Sequence, residues 1–239
     1  LNILIPMAGA GSRFKEAGYI FPKPLIEIDN KPMIQWVIES LKLEGNYIFI
    51  VQKEHQEKYN INSVLKILKP NCKIIELDHI TEGAACTTLL AKKFINTNNP
   101  LIIANSDQYI KWDSIKSMYK YNQKKIDGSI LTFEAIHPKW SYAKTDKNSF
   151  VTEVAEKKVI SKNATVGVYY WKKGSDYVNC AETMIKKNVR VNNEFYVCPV
   201  YNEAIGEGKK IVIDKVSEMH GLGTPDDLKN FITKKNLTN

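Results

Sequence analysis

Gly9, Gly11, Arg13 and Lys23 have the types and spacing of a clamp for a polyanion. They follow an apolar run, Ile3-Leu4-Ile5-Pro6, that predicts a buried strand. A strand opening into Gly9-Ala10-Gly11-Ser12-Arg13 leaves a row of backbone N–H groups, from Met7 and Ala8 onward, without regular partners. Such a row forms a nest for an anion. Glycine lets the main chain approach phosphate oxygens closely. Arg13 adds a planar fork of donors, and Lys23, between Pro22 and Pro24, adds a point charge on a stiffened loop. The segment predicts a triphosphate clamp.

Other glycine-rich loops fit worse. A dinucleotide fold needs a third glycine where Phe14 stands, and the lone Gly-Lys pair, Gly208-Lys209, continues with Lys210 rather than Ser or Thr. Further along, Asn105-Ser106-Asp107 closes another apolar run. A carboxylate at that end suits Mg²⁺, which takes oxygen ligands and keeps several waters. Asp107 has a second reading, as a cap for its own turn. No Ser-His-Asp or Cys-His arrangement is visible.

The elements that must position these groups alternate. Strands are predicted at Asn2 to Pro6, Tyr47 to Gln52, Lys73 to Leu77 and Leu101 to Asn105. Between them, Met33 to Leu41, Leu65 with Leu68, and Ala84 to Phe94 have helical spacing. The implied fold is α/β, a doubly wound, mostly parallel sheet, in which ligands gather at the carboxyl ends of strands. Ser129 to Ile136, Phe150 to Val154 and Thr165 to Trp171 look extended, and a helix follows from about Asp176 to Lys187. Gly223-Thr224-Pro225-Asp226-Asp227 is a helix start with a Thr cap. Without linker or repeat, residues 1–239 read as one domain, with a nucleotide-binding half (1–125) and an acceptor-binding half (126–239).

Composition narrows the partners. A net charge of +8 suits polyanionic ligands, but lysine pairs such as Lys92-Lys93, Lys124-Lys125 and Lys209-Lys210 are scattered without interleaved aromatics, which argues against nucleic acid. No apolar run has membrane length. Four dispersed cysteines and the lack of a signal-type segment suggest a reduced, cytoplasmic protein, so the glycosylation patterns at Asn163-Ala164-Thr165 and Asn236-Leu237-Thr238 carry little meaning. A homo-oligomer is left open.

The segments together resemble the sugar-phosphate nucleotidyltransferases of the GT-A-like, Rossmann-related fold. The matches are Gly9-x-Gly11-Ser12-Arg13, Pro22-Lys23-Pro24, Glu82-Gly83, Asn105-Ser106-Asp107, Glu156-Lys157, Gly167-Val168-Tyr169 and Gly223-Thr224-Pro225, in the family's order. The resemblance implies attack by a phosphate of a small-molecule acceptor on the α-phosphorus of a nucleoside triphosphate, with loss of pyrophosphate. It assigns the Met7 to Arg13 loop, Ser106 and Thr81-Glu82-Gly83 to the nucleotide. Arg13, Lys23, Asp107 and Lys157 become catalytic candidates, with Asp107 on Mg²⁺. Glu156, Lys157, Tyr142, Gly167 and Tyr196 become acceptor contacts. Trp140, Tyr169, Tyr170, Tyr201 and Asn202 are further candidates on that side.

One departure stands out. The family's second metal carboxylate falls at Gly221, and His220 beside it suits Mg²⁺ poorly. Glu82 occupies the base-reading position; an ionised carboxylate only accepts, which favours the amino group of cytosine or the guanine edge, so CTP is preferred. Glu82 alternatively caps the helix after it. The opening Pro6-Met7-Ala8-Gly9 is similar to a bacterial subgroup linked with capsule and surface-polysaccharide synthesis. The rivals are a GT-A glycosyltransferase, weakened because Gln108 and Tyr109 follow Asp107 where Asp-x-Asp is usual, and a non-catalytic nucleotide-binding module, which Gly221 makes conceivable.

Overall fold

Ile3, Leu4 and Ile5 are fully buried because strand β1 (Asn2–Pro6) has both faces covered: Leu4 packs into one apolar cluster, Ile3 and Ile5 into another. In this computed structural model residues 1–123 and 125–236 are described; Lys124 and the Leu237 and Thr238 of the second glycosylation pattern lie outside them. The strands that follow are β2 (Glu27–Ile28), β3 (Lys31–Pro32), β4 (Asn46–Gln52), β5 (Lys73–Leu77), β6 (Leu101–Ala104) and β7 (Gln108–Lys111). Then come β8 (Gly128–Glu134), β9 (Tyr142–Thr145), β10 (Val151–Ala155), β11 (Asn163–Trp171), β12 (Ile211–Lys215) and β13 (Glu218–Gly221).

Nine of these form one sheet. β5, β4, β1 and β6 lie side by side and parallel. β11 joins β6 antiparallel, β8 joins β11 antiparallel, and β12 pairs parallel with β8. β9 and β10 continue past β11 at its amino-terminal end. The mixed, mostly parallel α/β architecture matches the fold expected from the sequence.

The same alternation that buries β1 recurs in β4, where Ile48 and Ile50 face one cluster and Tyr47, Phe49 and Val51 the other. Helix Met33–Leu41 covers the second face through Ile34, Val37, Ile38 and Leu41, and helix Gly174–Lys186 covers the first through Tyr177, Val178, Ala181 and Met184. Each fully buried Ile or Leu contributes roughly 1.5–3 kcal/mol. A third cluster, Phe14, Ile26, Ile28, Met33, Leu222, Leu228 and Phe231, ties the glycine-rich turn to the carboxyl-terminal helix Pro225–Asn236.

Several elements differ from the expectation. The helical pattern from Ala84 to Phe94 is split into Ala84–Leu89 and Lys92–Ile95, and β8 ends at Glu134. β7, β9, β12 and β13 had no sequence signal of their own. Among the described residues no helix is long and apolar enough to cross a membrane.

Candidate active site

β1 and β6 run parallel in adjacent positions, so the turn after Pro6 and Asn105-Ser106-Asp107 leave the sheet at the same edge. In that turn the carbonyls are tied down: Gln52 Nε2 donates to Ala8 O at 2.9 Å and Gly9 O at 3.0 Å. Gly11, at φ 62°, accepts from Phe14 N at 3.1 Å and so starts helix Ser12–Glu16. Among the described residues the amides of Ala8, Gly9, Ala10, Gly11, Ser12 and Arg13 have no hydrogen-bond acceptor. Met7 is a correction: its N–H donates to Ile50 O at 2.9 Å and is not available to an anion. Gln52 was missed because nothing at the end of a strand distinguishes a loop-fixing amide from a surface one.

Lys23 packs beneath this turn; a Cβ on Gly11 would stand 3.7 Å from Lys23 Cβ. Its ammonium donates to Asp107 Oδ2 at 2.9 Å, so the Asp107 carboxylate does not cap its own turn. The carboxyl-terminal loop closes on the same group, with Leu222 N donating to Asp107 O at 2.7 Å. A Cβ on Gly223 would come within 3.0 Å of Asp107 Oδ2.

Gly167 has a backbone role. Its φ is 76°, and a Cβ there would come within 2.3 Å of Asn105 Nδ2. The register of β11 against β8 slips between Thr165 and Tyr169, a bulge that lets Gly167 O accept from Asn105 N at 2.8 Å. Gln108 Nε2 holds Asn105 O at 2.8 Å. Ser106 is buried beside this turn and is not among the residues that wall the cleft.

The cleft has a volume of about 620 Å³ and brings together Arg13, Asp107, Glu156, Lys157, Gly167 and Tyr196. Arg13 has no ion pair among the described residues, so its guanidinium is free for a ligand. Glu156 and Lys157 project from the end of β10. Glu156 is half-buried and accepts from Ser141 Oγ; burial pushes its carboxyl above the ordinary 4.5, against the opposing pull of Ser141 and Lys157. Lys157, at φ 53°, donates through Nζ to Tyr196 OH at 2.6 Å. Trp140 lines the cleft, and Lys139 beside it pairs with Asp227 Oδ1 at 3.0 Å.

Of the other acceptor-side candidates Tyr169 lines the cleft, and the remainder lie outside its lining. Tyr142 is fully buried, with its hydroxyl donating to His137 O at 2.7 Å, so it braces the 137–141 loop from beneath. Tyr170 stacks on Tyr121 in the core. Tyr201 donates to Tyr170 O, and Asn202 brackets the Val154 backbone at 2.9 Å on both sides.

At the proposed base-reading turn, Thr81 Oγ1 donates to Gly83 O at 2.9 Å. Gly83 has φ 132° and lies so close to Phe195 that a Cβ would meet its backbone at 2.5 Å. Helix Ala84–Leu89 has no side-chain cap; Glu82 instead accepts through Oε2 from Arg190 Nη2 at 2.5 Å. Arg190 was missed because 108 positions separate it from Glu82.

Metal-holding capacity is modest. Among the described residues no group of three or more His, Cys, Asp or Glu is arranged around a metal position. His220 Nε2 is engaged with Glu218 Oε1 at 2.6 Å. A Cβ on Gly221 would stand 3.7 Å from Asp227 Oδ2, so a carboxylate does lie beside the position where the sequence lacks one.

The structure is thus an α/β protein with a strand-end cleft lined by Arg13, Asp107, Glu156 and Lys157, and with the glycine-rich turn at the same edge of the sheet. Residues 3–227 match the family model for Nucleotidyl transferase, and the chain belongs to that family. The chain is 30% identical over 134 residues to the "Bifunctional protein GlmU" of Thermosipho melanesiensis, covering 55% of this chain and 28% of that protein. It thus spans less than a third of that relative's length. A nucleoside-diphosphate-sugar pyrophosphorylase from Vibrio cholerae RC9 superposes with TM-score 0.79 at 24% identity, over 97% of this chain and 99% of that one. The inositol-1-phosphate CTP transferase of T. maritima superposes with TM-score 0.76 at 13% identity, over 98% and 95%. At these identities the two structures share the fold.

Proposed function

We propose that the chain transfers a nucleoside monophosphate from a nucleoside triphosphate, preferably CTP, to a sugar 1-phosphate or another small phosphomonoester. A bond forms between an acceptor phosphate oxygen and the α-phosphorus, the α–β phosphoanhydride bond breaks, and pyrophosphate leaves. One observation carries this reading: Arg13, at the end of a turn whose amides from Ala8 onward have no acceptor among the described residues, lines the same cleft as Asp107, Glu156 and Lys157.

A phosphate monoester is already a nucleophile, so the protein's task is alignment and charge. The amides and Arg13 hold the β- and γ-phosphates, whose negative charge grows as pyrophosphate departs. Lys23 exchanges its hold on Asp107 for the α-phosphate and the incoming oxygen. Lys157 and Tyr196 take the acceptor phosphate, and Glu156 accepts from a hydroxyl or amine of its organic part. Asp107 is the carboxylate that would hold a Mg²⁺ ion, a cation suited to few protein ligands and several waters. Bound there, the ion would neutralise phosphate charge.

The preference for CTP rests on Glu82, whose Oε2 is taken by Arg190 while Oε1 has no hydrogen-bond partner among the described residues and would accept from an exocyclic amino group. A structural relative named for CTP is in keeping with this. The product would be an activated precursor for a surface polysaccharide, made in the cytoplasm.

The test is pyrophosphate release from ATP, CTP, GTP and UTP against a panel of sugar 1-phosphates and other phosphomonoesters, with and without Mg²⁺. CTP with one acceptor class should turn over fastest. Tight triphosphate binding without release across the whole panel would make the chain a non-catalytic binding module instead.

A further inference from the structure

Arg190 lies outside the cleft, yet its side chain is held at four points. Nη2 donates to Glu82 Oε2 at 2.5 Å, Nη1 to Asn193 O at 3.0 Å, and Nε to Asn188 Oδ1 at 2.6 Å. The guanidinium carbon lies 4.0 Å from the centre of the Phe195 ring. An exposed ion pair alone contributes little. A fork that is also stacked on an aromatic face loses less freedom per hydrogen bond and gains a cation–π contact.

The segment so held is itself a tight turn. Val191 and Glu194 exchange both backbone hydrogen bonds at 3.0 Å, with Asn192 and Asn193 at φ 49° and 62°, the left-handed pair that a two-residue hairpin turn requires. Beyond it, Phe195 N donates to Glu82 O at 2.8 Å and Phe195 O accepts from Ala85 N at 2.9 Å. The next residue is Tyr196, whose hydroxyl takes the Lys157 ammonium. A continuous chain of contacts therefore runs from the base-side turn, through Arg190 and Phe195, to the lysine on the acceptor side. Both of its ends, Ala84 and Tyr196, wall the cleft.

We propose that Arg190 is a positioning residue that couples the two substrate sites. By fastening Glu82 and lying on Phe195, it makes the 81–85 turn and the 188–196 segment respond as one body. Ordering of the turn by a nucleotide then fixes Tyr196 and Lys157 for the acceptor phosphate. The assignment rests on the transferase reading above.

Hydrogen exchange of the full chain, with and without CTP and Mg²⁺, tests it in the wild type, Arg190→Ala and Arg190→Lys. In the wild type CTP should slow exchange in residues 81–87 and in 188–196. In Arg190→Ala the slowing should remain at 81–87 and weaken sharply at 188–194, the stretch that the Phe195 backbone bonds do not hold. Arg190→Lys, with charge but no flat fork, should be intermediate, and it replaces the alanine variant if that one does not fold. Kinetics give a second readout: with the best acceptor of the panel, Arg190→Ala should raise the acceptor KM about tenfold at saturating triphosphate, with little change in kcat. Undiminished slowing at 188–194 in the substituted proteins would overturn the coupling. No slowing anywhere in the wild type with any of the four triphosphates would instead sink the transferase reading.

Discussion

The Lys23 ammonium and Asp107 Oδ2 are 2.9 Å apart, across 84 positions of sequence, at the junction of the glycine-rich turn and the end of β6. Both side chains are partly exposed, so the pair itself is worth no more than about 1 kcal/mol to stability. Under the proposed function its place has a chemical reason: it stores a cation and a carboxylate where the phosphates would meet. Lys23→Met is expected to lower kcat by about 10²–10³, the usual loss when one donor to developing charge is removed. Asp107→Asn should lower kcat and raise the Mg²⁺ concentration needed for half-maximal rate. Steady-state pyrophosphate release at varied Mg²⁺ checks both, and the double substitution should cost less than the two losses combined, because the residues act as a unit.

Gly167→Ala should damage both fold and rate. The new Cβ meets Asn105 Nδ2 at 2.3 Å and the backbone must keep φ 76°, a strain on the order of 1–3 kcal/mol. Because Asn105 leads directly into Asp107, thermal melting and kcat should fall together. A variant that melts lower at full kcat would show that the bulge does not position Asp107.

Glu156→Gln should separate stability from activity. Burial raises the Glu156 carboxyl above 4.5 in the folded protein. Its favourable contribution is therefore fully present below the unfolded value and is lost as pH rises through the folded one. At neutral pH the neutral amide should melt a few degrees higher than the wild type, and the difference should disappear below about pH 4. The acceptor KM should rise. Melting curves across pH, beside acceptor titrations, provide the check.

Glu82→Gln should shift preference toward UTP, since an amide can both donate to a carbonyl and accept from the ring N3–H. Competition between CTP and UTP measures it. An unchanged ratio would restrict Glu82 to anchoring Arg190.

What was legible in the sequence was local. The apolar run of β1, the glycine turn and the helix at Met33–Leu41 announce themselves through composition and period, and Thr224 does accept from Asp227 N at 3.1 Å as a cap should. What was not legible depends on distant partners. β7 and β13 are short and pair with each other across the chain, Gly221 opposite Gln108, so neither strand has a pattern of its own. Tyr142 and Tyr196 are the same residue type in similar company; only packing decides that one braces a loop while the other faces the cleft. Asp227 and Arg190 likewise gain their meaning from Lys139 and Glu82, on other segments.

The most direct measurement is a crystal structure with a slowly hydrolysed CTP analogue and Mg²⁺. The triphosphate is expected on the amides of Ala8 to Arg13, with Lys23 moved from Asp107 to the α-phosphate. A triphosphate bound elsewhere, with that turn empty and the Lys23–Asp107 pair intact, would contradict the proposed chemistry.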